Sequence, residues 1–165
     1  MLRRVGAKKV RAGGARFAIV ASRYNAKYVE AMVRAAGAEL ARAGAGRPEV
    51  VRVPGAYEIP VVAGRLARAK TPRLAGIICL GVILRGETAH ADLIGEAVSR
   101  ALMELQLRYE VPIVHEVLLL ANEQQARARC LGKTHNRGAE AAQTALAMAA
   151  VMKRLAAGTT GTAPP

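Results

Sequence analysis

Short apolar runs and amphipathic stripes alternate along most of the chain. Arg16 to Ser22 is dominated by small and branched apolar residues and reads as a first strand, followed by the loop Arg23-Tyr24-Asn25. Val29, Met32, Val33, Ala36 and Leu40 then recur at helical spacing, and that helix ends in Gly44-Ala45-Gly46. Glu49 to Val53 predicts a second strand closed by Pro54-Gly55. A helix opens at Ala56 and runs to about Ala69, with Pro60 tolerated in its first turn. Gly76 to Leu80 is continuously apolar, the pattern of a strand buried on both faces of a parallel sheet. Leu93, Ile94, Ala97, Val98, Ala101, Leu102 and Leu105 form one stripe of the next helix, which runs to Tyr109. Pro112 to Leu120 predicts a fourth strand, Glu123 to Cys130 a short helix, and Asn136 to Leu155 a long one.

Alternating strands and helices joined by right-handed crossovers define an α/β protein with helices on both faces of a parallel sheet. The expected fold is a flavodoxin-like, three-layer αβα sandwich whose four-stranded parallel sheet has the order 2-1-3-4. Residues 16–157 form its single domain, preceded by a basic arm over 1–15 and followed by a disordered tail over 158–165, rich in Gly, Thr and Pro. In such folds ligands bind beyond the carboxyl ends of the strands. The loops expected there are Ser22 to Asn25, Pro54 to Glu58, Gly81 to His90 and Leu119 to Asn122.

The stretch Gly76 to His90 concentrates the chemistry. An apolar strand ends in a glycine-punctuated turn and meets a helix start, where Gly86 frees the backbone and Thr88 is the candidate N-cap. Free amides and the helix dipole favour an anion at such a terminus. Gly81 and Gly86 have the spacing of a nucleotide-binding P-loop, but the position before Thr88 is Glu87 where that motif requires lysine. A smaller phosphate ligand fits better, with the Glu87 side chain turned out and its amide turned in. His90 falls in the first turn of the helix beside it. An ordinary strand-turn-helix with a capping threonine accounts for the same spacing.

Composition narrows the class. The chain has 165 residues, 52% of them hydrophobic but only 3% aromatic, so it folds, with a core of aliphatic and small side chains. No apolar run is long enough to span a membrane and no secretory signal opens the chain, which predicts a cytoplasmic protein. Cys79 and Cys130 have neither disulfide-framework nor metal-ligand spacing and read as buried thiols. The net charge of +13 raises nucleic acid as a partner, because Arg3, Arg4, Lys8, Lys9, Arg11 and Arg16 form an arm without a single acid. With so few aromatics to stack bases and no recognition motif, a solvated arm is favoured over a nucleic-acid interface, and a transit peptide ranks lower still.

Several motifs occur together in order and spacing: Ser22 to Asn25, Val53 to Pro60, Gly81 to His90, Gln125-Ala126 with Arg129, and Asn136-Arg137-Gly138. Over residues 16 to 155 the chain resembles the 6,7-dimethyl-8-ribityllumazine synthase family. The resemblance implies condensation of 5-amino-6-(D-ribitylamino)uracil with 3,4-dihydroxy-2-butanone 4-phosphate, releasing phosphate and water, with no cofactor and no metal. By position, Tyr24 corresponds to the aromatic stacked on the pyrimidine, and Ala56, Tyr57 and Glu58 to the ribityl-binding segment. Val82 and Ile83 supply backbone contacts to the heterocycle, and Gly86, Glu87 and Thr88 hold the phosphate with Arg129 as its cation. The resemblance makes His90 the expected proton-transfer residue. The family assembles as pentamers or as shells of pentamers with sites at subunit interfaces, so His115, Arg129 and Lys133 serve a neighbouring pocket, with Arg137 among the substrate-binding residues and riboflavin synthase as a possible partner.

The assigned roles suit the side chains. Imidazole carries protons near neutral pH, a tyrosine ring offers an apolar face with one polar tip, and guanidinium grips phosphate through paired hydrogen bonds. Two positions depart from the pattern. His115-Glu116 replaces the family's phenylalanine-glycine pair in strand four, which puts the second wall of the pyrimidine pocket in question, and Arg137 stands where lysine is common. A lumazine- or flavin-binding shell that has lost turnover is the alternative with the same fold.

Overall fold

A computed structural model describes residues 10–132 and 135–158. The basic residues from Arg3 to Lys9, Lys133 and the tail from residue 159 lie outside the described residues. The order of elements is β1 (Phe17–Ser22), α1 (Ala26–Arg42), β2 (Glu49–Val53), a single 3-10 turn (Ala56–Glu58) and α2 (Ile59–Arg68). Then follow β3 (Gly76–Leu84), α3 (His90–Tyr109), β4 (Ile113–Leu120), α4 (Glu123–Cys130) and α5 (Arg137–Ala156). All strand pairs are parallel and the sheet order is β2-β1-β3-β4, the flavodoxin-like order the alternation predicts.

Strand alternation divides the interior into two cores. Phe17, Ile19, Ala21, Ile78, Leu80 and Val114 face α1, α4 and α5, while Val20, Ile77, Cys79, Ile113 and Val117 face α2 and α3. β1 is buried along its whole length, as a strand covered on both faces must be. Ala141, Ala142 and Ala145 of α5 are fully buried, and small side chains let α5 approach α1 closely. A Cβ at Gly138 would come 2.1 Å from the Met32 carbonyl oxygen, so the first turn of α5 needs glycine. That close helix packing explains a high apolar content with so few aromatics.

Local structure departs from the pattern in three places. β3 continues past Leu80 to Leu84, because the edge strand β4 supplies partners as far as the Leu84 to Leu120 register. Gly81 is therefore a strand residue, and its missing side chain leaves room for Val117, whose Cγ1 would lie 3.1 Å from a Cβ there. Ala56 to Glu58 form a 3-10 turn ahead of α2 rather than its first helical residues. Upstream, the Ala12 amide donates to Ala43 O at 2.8 Å and the Gly14 amide to Gly44 O at 3.2 Å, so this part of the arm lies against its own subunit. Cys79 and Cys130 are free and buried, and burial pushes both thiols up, Cys130 to about 11. Among the described residues no helix is long and apolar enough to cross a membrane.

Candidate active site

The carboxyl ends of β1, β2 and β3 and the start of α3 enclose a cleft of about 730 Å³. Its first wall forms where two loops are tied together. The Arg23 amide donates to Val53 O at 2.9 Å and the Tyr24 amide to Pro54 O at 3.2 Å. The Tyr24 ring then lies over Gly55, where a Cβ would come 3.1 Å from the ring and 3.0 Å from Glu58 Oε2. A side chain at position 55 would displace both. Tyr24 is nonetheless 72% exposed, so one face of the ring is open to the cleft and solvent. Asn25 turns the chain into α1 through a left-handed backbone, φ 56°, a conformation that asparagine tolerates.

Asn25 also reaches across the cleft floor, its Nδ2 donating to Val82 O at 2.7 Å. Pattern reading passes over this contact; the asparagine directly before a helical stripe was its only signal. It also occupies one of the two lone pairs on the Val82 carbonyl expected to meet the heterocycle. Val82 and Ile83 line the cleft together with Ala56, Tyr57 and Glu58. Glu58 is half-buried, with Oε2 accepting from the Gly55 amide at 2.8 Å. Among the described residues Oε1 has no partner, leaving an acceptor beside the cleft. His90 completes the rim, with Leu93, Ile94 and Ala97 of α3 behind it. These three belong to the apolar stripe, yet Leu93 is 64% exposed, because the stripe is broader than the face α3 buries in its own subunit.

Beyond the cleft, Gly86 to His90 are all exposed. Helix α3 starts at His90 with Ala89 as its N-cap, so Thr88 is not the capping residue. The reason is geometric: the chain already turns helical at Ala89, and Thr88 Oγ only accepts from the His90 amide, at a long 3.4 Å. The first turn of α3 therefore lacks a side-chain cap. Arg85 and Asp92 form an exposed ion pair across the turn. The Glu87 side chain is solvent-facing, and a Cβ at Gly86 would meet nothing within 4 Å, so protein packing does not require glycine there.

His115, Arg129 and Arg137 do not line this cleft. His115 projects from the edge strand β4 toward α3, its Nδ1 accepting from the Val117 amide at 3.1 Å and its Nε2 lying 2.7 Å from Ser99 Oγ. Ser99 Oγ in turn donates to Gly95 O at 2.7 Å, so Nε2 carries the ring proton and the imidazole is neutral. Partial burial of the ring lowers its pKa, in line with that tautomer. Glu116 projects to the opposite face and is one of two buried polar residues among those described, at 8% exposure. Its Oε2 accepts from Arg137 Nε at 3.0 Å, and Arg137 Nη1 donates to Glu140 at 2.8 Å. Burial pushes the Glu116 carboxyl up to about 7, outweighing the neighbouring Arg137 charge. Arg129, exposed near the end of α4, has no ion-pair partner among the described residues.

An α/β protein of flavodoxin-like topology with a small-molecule cleft at the carboxyl edge of its sheet is the class that fold and site define. Residues 14–153 match the family model described as 6,7-dimethyl-8-ribityllumazine synthase. A 6,7-dimethyl-8-ribityllumazine synthase of Stenotrophomonas maltophilia is 41% identical over 145 residues, covering 86% of this chain and 91% of the relative. One from Xanthomonas campestris pv. campestris is 41% identical over 143 residues, and the protein named 6,7-dimethyl-8-ribityllumazine synthase 1 of Caulobacter vibrioides is 38% identical over 142. These cover 86% and 85% of this chain, respectively, and 92% of each relative. The chain belongs to the 6,7-dimethyl-8-ribityllumazine synthase family.

Proposed function

We propose that the cleft is one half of the active site in which this chain, a transferase of riboflavin biosynthesis, makes 6,7-dimethyl-8-ribityllumazine. Its substrates are the small molecules 5-amino-6-(D-ribitylamino)uracil and 3,4-dihydroxy-2-butanone 4-phosphate, and phosphate and water are released. The convergence of Tyr24, Glu58 and His90 on one cleft carries the reading. Tyr24 stacks on the pyrimidine, the 3-10 turn of Ala56, Tyr57 and Glu58 receives the ribityl chain, and the free Glu58 oxygen accepts from its hydroxyls. Val82 and Ile83 meet the heterocycle edge. His90 serves proton transfer: water must leave as the amine and ketone form a C=N bond, and a proton must leave carbon as phosphate departs with the C–O electrons.

The phosphate sits over Gly86, Glu87 and Thr88. The uncapped first turn of α3 and the open space above Gly86 support this placement. Backbone amides carry only partial charge, so a phosphate dianion needs a full cation, and among the described residues the cleft lining contains no lysine or arginine. Arg129, Lys133 and Arg137 supply it from a second copy of the chain, with His115 as the far wall of the pyrimidine site. Pentamers, alone or assembled further, are the arrangement that brings these halves together. The test is to mix both substrates with the protein and follow absorbance of the lumazine product together with released phosphate. Stoichiometric appearance of both supports the reading, and binding of either substrate without product overturns it in favour of a non-catalytic shell.

A further inference from the structure

The segment between β3 and α3 has almost nothing of its own to hold it. Residues 86–89 are exposed, a side chain at Gly86 would touch nothing within 4 Å, and the first turn of α3 has no side-chain cap. Among the described residues the amides of Gly86, Glu87, Thr88 and Ala89 donate to no acceptor. Consecutive unsatisfied donors suit an anion, but a chain this loosely held would have to be ordered each time one arrived. Among the described residues one ion pair spans the segment. Arg85 precedes it, its amide donating to Leu120 O at 2.9 Å just past the last β3 to β4 pair, Leu84 and Leu120. Asp92 follows it in the first turn of α3, and the Arg85 guanidinium donates to the Asp92 carboxylate through Nη2.

We propose that Arg85 and Asp92 are positioning residues, which tie the two ends of this segment together so that the amides of Gly86, Glu87 and Thr88 are already gathered when the butanone phosphate arrives. This rests on the reading of that segment as the phosphate site. The two side chains are 50% and 48% exposed, so water weakens the pair and it adds little to global stability. Its effect is local: closing a short loop removes chain freedom before the ligand binds, and the gain appears as affinity. The charges fit this role. Arg85 is neutralised by Asp92, so it fixes the backbone without serving as the dianion's counter-ion. Asp92, in the first turn of α3, suits the positive end of the helix dipole.

The test is steady-state kinetics on the assembled full-length protein with R85A, R85K, D92A, D92N and the R85A/D92A double variant, varying each substrate in turn, beside melting temperatures with and without inorganic phosphate. R85A, D92A and D92N should each raise the KM for the butanone phosphate about fivefold and reduce the stabilisation by phosphate, with the pyrimidine KM within about twofold of wild type. R85K keeps the charge but not the planar fork and should fall between wild type and R85A. The double variant should be no worse than either single one, since both changes cut one link. D92N keeps the size of Asp92 and carries the test if an alanine variant does not assemble. Weaker phosphate binding in R85A with tighter binding in D92A and D92N overturns the inference, because Arg85 would then touch the anion itself. Equal weakening of both substrates, or variants with normal KM in a wild type that phosphate stabilises, overturns it as well and leaves the phosphate site standing. A wild type indifferent to phosphate overturns the reading of the segment and the inference with it.

Discussion

The two flanks of the sheet edge are built differently. Around β1 and β3, Tyr24, Glu58, Val82 and His90 surround a cleft in which Asn25 donates to Val82 O, the Gly55 amide donates to Glu58, and the apolar wall of α3 stays open. Around β4, the cationic and imidazole groups face away from that cleft, held by Ser99, Glu116 and Glu140. One flank offers shape and acceptors, while the other presents charge. A subunit carries both groups of residues, and its own fold keeps them apart; the proposed site for an anionic and a heterocyclic substrate draws on two copies. The lesson is that a cleft complete in shape can be incomplete in charge.

The sharpest way to break this contrast is at His90, the proposed proton carrier and the one histidine lining the cleft among the described residues. Replacing it with alanine should lower kcat by about a hundredfold or more with little change in either KM. Unchanged turnover would move the chemistry elsewhere. On the charged flank, Arg129→Ala should weaken the butanone phosphate by tenfold or more, about 1.4 kcal/mol, and leave the pyrimidine untouched. It should also abolish stabilisation of the wild type by inorganic phosphate, read as a shift in melting temperature. Equal weakening of both substrates would remove the division of labour between the flanks.

A third effect concerns stability at Glu116. Its native pKa of about 7 lies above the ordinary value of 4.5, so between those values the folded chain holds more protons than the unfolded one. Stability associated with this group is therefore present at low pH and lost as pH rises through 7. E116Q, which cannot ionise, should be more stable than wild type at pH 8 by up to about 3 kcal/mol and indistinguishable at pH 5. Denaturant midpoints at the two pH values check it. The smallest effect is at His115: phenylalanine there loses the Ser99 and Val117 contacts yet keeps a flat ring, so pyrimidine affinity should hold or improve modestly.

Much of this arrangement was legible from residue order. Apolar runs located β1, β2 and β4, the strand-helix alternation implied the sheet order, and loop motifs at the strand ends marked the cleft. What patterns missed depends on contacts between distant residues. β3 extends to Leu84 because β4 pairs with it there, a fact no local run of residues contains. Thr88 looked like a cap, but where a helix begins depends on the backbone at Ala89 rather than on side-chain identity. Helical spacing puts Leu93 in one α3 stripe with Val98 and Leu102, yet Leu93 is exposed at the cleft while those two are buried; periodicity tells which residues share a face, not what covers that face. Glu116 stood out only as a departure from the family pattern, since its partner Arg137 lies 21 residues away on another element.

Whether two copies share each site can be measured by mixing subunits. H90A protein, whose cleft flank is defective, and R129A protein, whose charged flank is defective, are unfolded together, refolded in equal amounts, and assayed for lumazine formation beside each variant alone. If His90 and Arg129 of one site come from different subunits around a ring, about a quarter of the sites in a random mixture have both intact, and activity should recover to about that fraction of wild type. If both residues act within one subunit, every site carries one lesion in every combination, and a mixture no more active than the average of the two variants would contradict the shared site.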